Sequence, residues 1–330
     1  MEVNTLKVAV VGATGEVGRM FLRLFEEYNL INEIQELRLF ASERSKGQKI
    51  KVGSKHYIVE KLEEEKMKEK YDYILFSAGG SVSEKFAPIA EKAGNVVIDN
   101  SSFFRMKENI PLVVPEINGD ILKGYKGIIA NPNCSTIQMV LALNNIYRSL
   151  IIKEIVVSTY QAVSGAGNKG LMELINQQQG NTEIKHFPRM INNNVIPIIG
   201  DILESGFTKE EEKMIEETKK IFDDKKIKIY PTTVRVPVLY GHSESIFFRT
   251  EKDASVDELI ELIEKTPNVK YSEEYISPIE VAGTDYTYVS RLRKPEEKTF
   301  LMWVIADNIR VGAATNAIRI LLKHKELNSI

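Results

Sequence analysis

At 330 residues the chain exceeds the roughly 250–300 that one hydrophobic core usually serves, so two domains are expected. Apolar residues make up 43% and charged residues 27%, a globular balance that argues against extensive disorder. Lys and Arg number 44 against 46 Asp and Glu, and a net charge of −2 leaves no single-sign field to drive binding to nucleic acid or an anionic membrane.

One cysteine excludes an internal disulfide and any multi-cysteine metal site. The four histidines, His56, His186, His242 and His324, are too scattered to form a ligand motif, so no metal is expected. There is no basic leader with a long apolar run and no apolar span near ~20 residues, and a cytoplasmic protein is expected.

Leu6 to Val11 is a nearly continuous apolar run, as in a strand covered on both faces of a parallel sheet. It ends in Gly12-Ala13-Thr14-Gly15-Glu16-Val17-Gly18, followed by a helix carrying Val17, Phe21, Leu24 and Phe25. Glycines allow a tight turn and close approach to a pyrophosphate, to which the helix offers its first N–H groups. The spacing is GxxGxxG, so the motif alone is modest; its place between a strand and a helix strengthens it.

A second strand is expected at Leu37 to Ala41, where the residues that follow usually report which ribose is read. Ser42-Glu43-Arg44-Ser45-Lys46-Gly47 favours the 2′-phosphate of NADP, although Glu43 keeps NAD open. The charged run from Glu60 to Lys70 reads as a solvated surface. Tyr73 to Phe76 and Val96 to Ile98 continue the alternation of strand and helix, giving a doubly wound parallel sheet. The loops Ser77 to Ser81 and Asn100 to Arg105 then face the ligand side, and the fork of Arg105 suits a phosphate or carboxylate.

Gly127 to Ala130 leads into Asn131-Pro132-Asn133-Cys134-Ser135-Thr136 and a helix with Ile137, Val140, Leu141 and Tyr147 near one face. Cys134 falls in its first turn. Free N–H groups and the helix dipole there favour a thiolate, which makes a nucleophile plausible. The alternative is a small buried apolar residue.

Beyond this point the pattern turns β-rich, with strands expected at Glu154 to Gly165, Lys228 to Tyr240 and Glu244 to Glu251 in a mixed or antiparallel sheet. A helical stretch at Leu171 to Gln178 and a long irregular segment lie between the first two. Gly241-His242-Ser243 is placed in a turn, with His242 the candidate acid/base. Arg235 is a charge within a β-branched strand and needs a partner if buried, either an internal carboxylate or that of a substrate. On the helix Lys209 to Phe222, Glu217 and Lys220 share one shoulder of the apolar stripe. They line a cleft or form an ordinary surface pair. Phe300 to Ala306 reads as a strand, followed by Asp307-Asn308 and a last helix with Val311, Ala314, Ile318 and Leu321 inward, which makes the first domain discontinuous: 1–133 with 309–330 around 134–308.

Taken together, the glycine turn, the Pro-Asn-Cys-Ser-Thr helix entry and Gly-His-Ser resemble those of bacterial aspartate-semialdehyde dehydrogenases. So do Pro111 to Glu116, Gln161 to Gly165, Asn194 to Pro197, Glu216 to Lys220 and Val234 to Pro237, so the resemblance spans the chain. It implies a dinucleotide-binding domain and an α+β catalytic and dimerisation domain, a homodimer, and reduction of aspartyl phosphate by NADPH to aspartate semialdehyde and inorganic phosphate. By the same resemblance Cys134 is the acyl-thioester nucleophile, His242 the acid/base, and Gln161 orients the intermediate. Arg235 and Glu217 take the substrate carboxylate and ammonium; Arg105 and Lys220 take the phosphate, and Asn133 helps to place that phosphate or the thiol. Cofactor contacts are implied at Gly12, Thr14, Gly15, Glu16, Val17, Ser42, Arg44, Ser45, Ser164, Gly165 and Asn308. The rival readings are another acyl-phosphate reductase, such as N-acetyl-glutamyl-phosphate reductase, and a non-catalytic NADP-binding protein.

Overall fold

The structure is a computed structural model and describes residues 6–329. The chain divides into two compact units, with the boundaries between Pro132 and Asn133 and between Gly312 and Ala313.

The first unit holds seven strands: β1 (Leu6–Val11), β2 (Ile34–Ala41), β3 (Lys49–Val52), β4 (Lys55–Lys61), β5 (Tyr73–Phe76), β6 (Val96–Asp99) and β7 (Ile128–Ala130). They form one sheet in the order β3-β4-β2-β1-β5-β6-β7. All neighbours are parallel except the hairpin β3/β4. Val8 to Val11 and Tyr73 to Phe76 are fully buried, which is why both runs are apolar without alternation. Because β1 pairs with both β2 and β5, the winding reverses there, and the crevice beyond the ends of β1 and β5 opens at Gly12 and Ser77.

The helix Glu16–Glu27 contributes Phe21, Leu24 and Phe25 to the core of this unit, where Ala314, Ala317, Ile318 and Leu321 also lie. Each of the Phe, Leu and Ile side chains contributes about 1.5–3 kcal/mol by leaving water. The last helix departs from its expected pattern, because Arg310–Ala314 is a π-turn and the α-helix proper runs Thr315–Asn328. Among its side chains, His324 donates from Nε2 to the Tyr125 carbonyl and accepts the Tyr73 hydroxyl proton at Nδ1, both at 2.9 Å.

The second unit holds β8 (Ile152–Gln161), β9 (Lys228–Arg235), β10 (His242–Thr250), β11 (Val269–Ser272), β12 (Thr287–Glu296) and β13 (Thr299–Ala306). Their order is β11-β12-β13-β10-β8-β9, with β8/β9 and β11/β12 parallel and the other pairs antiparallel. The helix Cys134–Leu150, buried along most of its length, packs on one face. The other face exposes Val156, Tyr160 and Tyr230, an apolar surface on an otherwise ordinary sheet.

Several expected boundaries shift. The strand placed at Glu154 to Gly165 ends at Gln161, and Val163–Ala166 forms a 3₁₀ turn. The strand placed at Lys228 to Tyr240 ends at Arg235, before Pro237, which has no N–H for a ladder. His242 is not in a turn but opens β10, paired with Ala306.

Candidate active site

Asn133 is the N-cap of the Cys134–Leu150 helix, and its Oδ1 accepts the N–H groups of Ser135 (3.0 Å) and Thr136 (3.3 Å). Asn, Ser, Thr and Asp cap helices because their short polar side chains satisfy donors that the helix cannot. Cys134 is consequently the first helical residue, its side chain partly open and in no disulfide. The fully buried Glu217 fixes the entry from outside by accepting the Asn133 N–H at 2.6 Å.

Opposite this helix end, sheet register brings three distant residues together. Gln161 pairs with Arg235 across β8 and β9, while Ser243 pairs with Tyr160 across β10 and β8, so His242 opens its strand beside Gln161. Since side chains alternate along a strand, Arg235, Gln161 and His242 emerge on one face, the one covered by the helix. All three are buried.

Hydrogen bonds determine how each is presented. The Ala162 N–H donates to His242 Nδ1 at 3.1 Å, so the neutral ring carries its proton on Nε2, and that buried atom has no partner. Burial, and then the Arg235 charge, lower the His242 pKa to about 3 against the opposing pull of Glu210. Arg235 donates to the Ala162 carbonyl at 2.7 Å; burial depresses its pKa, while Glu210 and Cys134 act to raise it. The Arg235 charge therefore lies within electrostatic reach of the thiol. Gln161 donates to Ser135 Oγ and, at 3.2 Å, to Glu210.

Glycine leaves this space open. A Cβ on Gly165 would lie 2.9 Å from Arg235 Nη1 and 3.0 Å from His242 Nε2, so only glycine leaves the guanidinium and imidazole undisturbed. A Cβ on Gly312 would lie 2.6 Å from the Cβ of Cys134.

The first unit supplies a separate cradle. Gly12 has φ of +87°, and a Cβ there would lie 2.4 Å from the Ser77 carbonyl oxygen. The turn therefore requires glycine and brings bare backbone to the crevice. Gly15 caps the Glu16–Glu27 helix without a side-chain bond, leaving the first N–H groups for an anion, and Glu16 and Val17 open that helix. A cavity of about 360 Å³ is lined by Gly12, Thr14, Gly15, Ser42, Glu43 and Lys61 among others. Thr14 and Ser45 hydroxyls meet at 3.3 Å, and Arg44 is exposed. These residues fit a dinucleotide: a glycine-lined pyrophosphate turn beside a polar, cationic ribose end.

Residues 7–125 match the family model of the semialdehyde dehydrogenase NAD binding domain, and residues 143–311 match that of the semialdehyde dehydrogenase dimerisation domain. An aspartate-semialdehyde dehydrogenase of Aquifex aeolicus is 50% identical over 329 residues, covering 95% of this chain and 96% of its own. That of Bacillus subtilis is 42% identical, covering 98% and 99%. The chain belongs to the aspartate-semialdehyde dehydrogenase family. Among solved structures, aspartate semialdehyde dehydrogenase II of Vibrio cholerae complexed with ASA superposes with a TM-score of 0.93 at 41% identity, covering 97% of this chain and 98% of that one.

In this family member, Cys134, Gln161, Arg235, His242 and Glu217 stand in one unit around the helix entry. Lys220 is half-buried on the same helix as Glu217; burial lowers its pKa and Glu217 acts to raise it. Arg105, in the first unit, is buried and donates to the Asn100 carbonyl at 3.0 Å. Two of the expected ligands also brace the fold. Asn133 accepts at Oδ1 in the cap and donates from Nδ2 to Glu210 at 2.8 Å, which fits the expectation that it helps to place the thiol. Asn308 accepts the Gly241 N–H and donates to Ser164 Oγ, both at 2.9 Å, bracing the Ser164–Gly165 turn.

Glu210 escapes sequence reasoning. It is buried, and although burial opposes its charge, Lys213 and hydrogen bonds from Asn133, Lys213 and Gln161 outweigh that and lower its pKa to about 2. The available signal is Thr208-x-x-Glu211, a capping box that marks the helix start and places Glu210 in its first turn. Gly312 had no signal, since its contact with Cys134 spans most of the second unit.

Proposed function

We propose that the protein catalyses the NADPH-dependent reductive dephosphorylation of L-aspartyl 4-phosphate to aspartate semialdehyde, with the reverse reaction read as phosphate-dependent NADP reduction. The observation that carries this reading is the capped helix entry that presents one thiol to the row of Arg235, Gln161 and His242.

The Cys134 thiolate attacks the acyl carbon, the bond to phosphate oxygen breaks, and inorganic phosphate leaves a thioester. The helix N-terminus and the Arg235 charge favour the thiolate. Bound NADPH supplies the hydride that reduces this thioester. As the carbonyl oxygen gains charge, His242 donates its Nε2–H to it; the C–S bond then breaks, the aldehyde forms and the thiolate returns. With Nδ1 occupied by the Ala162 N–H, the ring serves best as a neutral hydrogen-bond donor, and the hydride step balances without a net proton. This narrows the acid/base role expected for His242.

Arg235 pairs with the substrate carboxylate and Glu217 with its ammonium, opposite charges suited to an amino acid backbone. That ammonium disfavours N-acetylated substrates, whose nitrogen carries no charge. Gln161, oriented by Ser135 and Glu210, holds the intermediate. Arg105 and Lys220 serve the phosphate, with Asn133 acting through the helix it caps. Gly12, Thr14, Gly15, Glu16 and Val17 cradle the pyrophosphate; Ser42, Arg44 and Ser45 meet the ribose 2′-phosphate; Ser164, Gly165 and Asn308 form the nicotinamide side.

The apolar open face bearing Val156, Tyr160 and Tyr230 supports a homodimer built on the second sheet. No helix among the described residues is long and apolar enough to cross a membrane, and a cytoplasmic setting follows from a biosynthetic, thiol-dependent reaction. The test is NADP reduction with aspartate semialdehyde, with and without phosphate. Activity is expected only with phosphate present; phosphate-independent turnover would remove phosphate as the acyl acceptor.

A further inference from the structure

The ribose end of the dinucleotide cavity holds a residue that the chemistry above has not used. Lys61 is the last residue of β4 and pairs in register with Ala41, the last residue of β2. It therefore stands at the carboxyl end of the strand beside the one whose end reads the ribose, on the side of the sheet edge where ligands bind. Lys61, Glu43, Ser42 and Thr14 line the same cavity.

Glu43 is the residue that speaks for NAD, because a carboxylate at this position accepts both hydroxyls of an unphosphorylated ribose. Here its oxygens are turned to cations: Oε2 is 3.0 Å from Lys61 Nζ, and Oε1 is 3.9 Å from Lys46 Nζ. The hydrogen bond between them holds the Glu43 pKa down and the Lys61 pKa up. Both side chains remain about half exposed, so a ligand reaches them without unfolding anything. Lys61, which also lies 3.8 Å from Glu63, is the cation in the lining of this cavity, and the exposed Arg44 and Lys46 stand on the adjoining turn.

We propose that Lys61 is a specificity-determining residue for the cofactor: it occupies the Glu43 carboxylate that would bind a ribose diol, and adds a cation for a 2′-phosphate. The proposal rests on the NADP reading above and gives it a selectivity mechanism. An ordinary surface ion pair would make the same contact but would not discriminate between cofactors.

The test uses the full-length protein and Lys61→Met, with two probes measured by calorimetry, adenosine 2′,5′-bisphosphate and AMP, beside kcat/KM for NADP and NAD. Loss of Lys61 should weaken the bisphosphate by about five- to tenfold, the scale of one or two partly exposed charge contacts. AMP binding should hold or tighten as Glu43 is released, and the NADP-to-NAD ratio should fall in step. The difference should shrink at high salt. In Lys61→Met/Glu43→Gln part of the ratio should return, because the freed carboxylate is gone. A wild-type preference for the bisphosphate with an unchanged ratio in Lys61→Met would overturn the proposal alone. A wild-type protein that prefers AMP and NAD would overturn the NADP reading and the proposal together.

Discussion

Replacing Gly165 by alanine tests whether the space between Arg235 and His242 is where the reacting carbonyl sits. The added Cβ would lie 2.9 Å from Arg235 Nη1 and 3.0 Å from both His242 Nε2 and Cε1, where ordinary contact begins at 3.4 Å. Each group must therefore retreat by about 0.4–0.5 Å or give up its hydrogen bond to Ala162, by the difference of those distances. A displacement of about 1 Å in a positioned group can cost roughly 100-fold, so two groups each moved by half that distance should lower kcat/KM by about 10- to 100-fold. That corresponds to about 1.4–2.7 kcal/mol of transition-state stabilisation. The backbone at Gly165 is not left-handed, so the stability cost is confined to crowding, about 1–3 kcal/mol. The assay is phosphate-dependent NADP reduction, run beside thermal unfolding and the rate of Cys134 alkylation by iodoacetamide. Lost turnover with a folded protein and an alkylatable thiol is the expected result. A variant with wild-type kcat/KM would refute the assignment of that space to the substrate.

Glu244 gives a stability prediction with a definite sign. It is fully buried two residues beyond His242, and burial raises its carboxyl pKa well above 4.5, so the folded protein keeps it protonated where the unfolded chain ionises it. Its contribution is intact below the unfolded pKa and is lost as pH rises above it, at up to about 1.4 kcal/mol per pH unit. Glu244→Gln, which mimics the neutral acid, should gain stability relative to wild type between pH 5 and 8 in urea titrations; an equal difference at both pH values would mean that the group is ionised when folded. His242 should behave oppositely. With its pKa lowered to about 3, the folded state refuses a proton that the unfolded chain accepts below about 6.5, so stability falls as pH drops through that window. In nitrogen-15 spectra of labelled histidine, His242 should remain neutral and protonated at Nε2 at pH 5, whereas a midpoint near 6.5 would contradict the donor role.

The parts of this molecule legible in the sequence are those decided locally. Val8 to Val11, the glycine turn and the Phe21, Leu24, Phe25 stripe each carry their pattern within a dozen residues, and the structure places a strand, a turn and a helix there. Cys134 was readable for the same reason, because the Asn133 cap and the first turn are adjacent in sequence. The hairpin of β3 and β4 was not. Its Lys-rich strands sit at the sheet edge with many side chains in water, so the apolar signal is thin, and the last two residues, Glu60 and Lys61, merge into the charged run that reads as surface. That omission also concealed Lys61.

The arrangement of the reacting groups is another matter, since it depends on register. Nothing in the sequence reveals that Gln161 pairs with Arg235, which follows from parallel pairing of β8 and β9 across 74 positions of numbering, from 161 to 235. His242 was placed in a turn because Gly241 precedes it; its pairing with Ala306 in β13 makes it the first rung of a strand and buries it. Glu210 has no local signal of burial, because three consecutive glutamates at a helix start usually face water, whereas here hydrogen bonds from Asn133, Gln161 and Lys213 hold one of them inside.

The most direct measurement of the central claim is peptide mass spectrometry after the protein is mixed with L-aspartyl 4-phosphate in the absence of NADPH. An aspartyl adduct on the peptide containing Cys134, formed with release of one phosphate and cleared when NADPH is added, is the expected result. Phosphate release and aldehyde formation on NADPH addition, with the thiol never acylated, would contradict it.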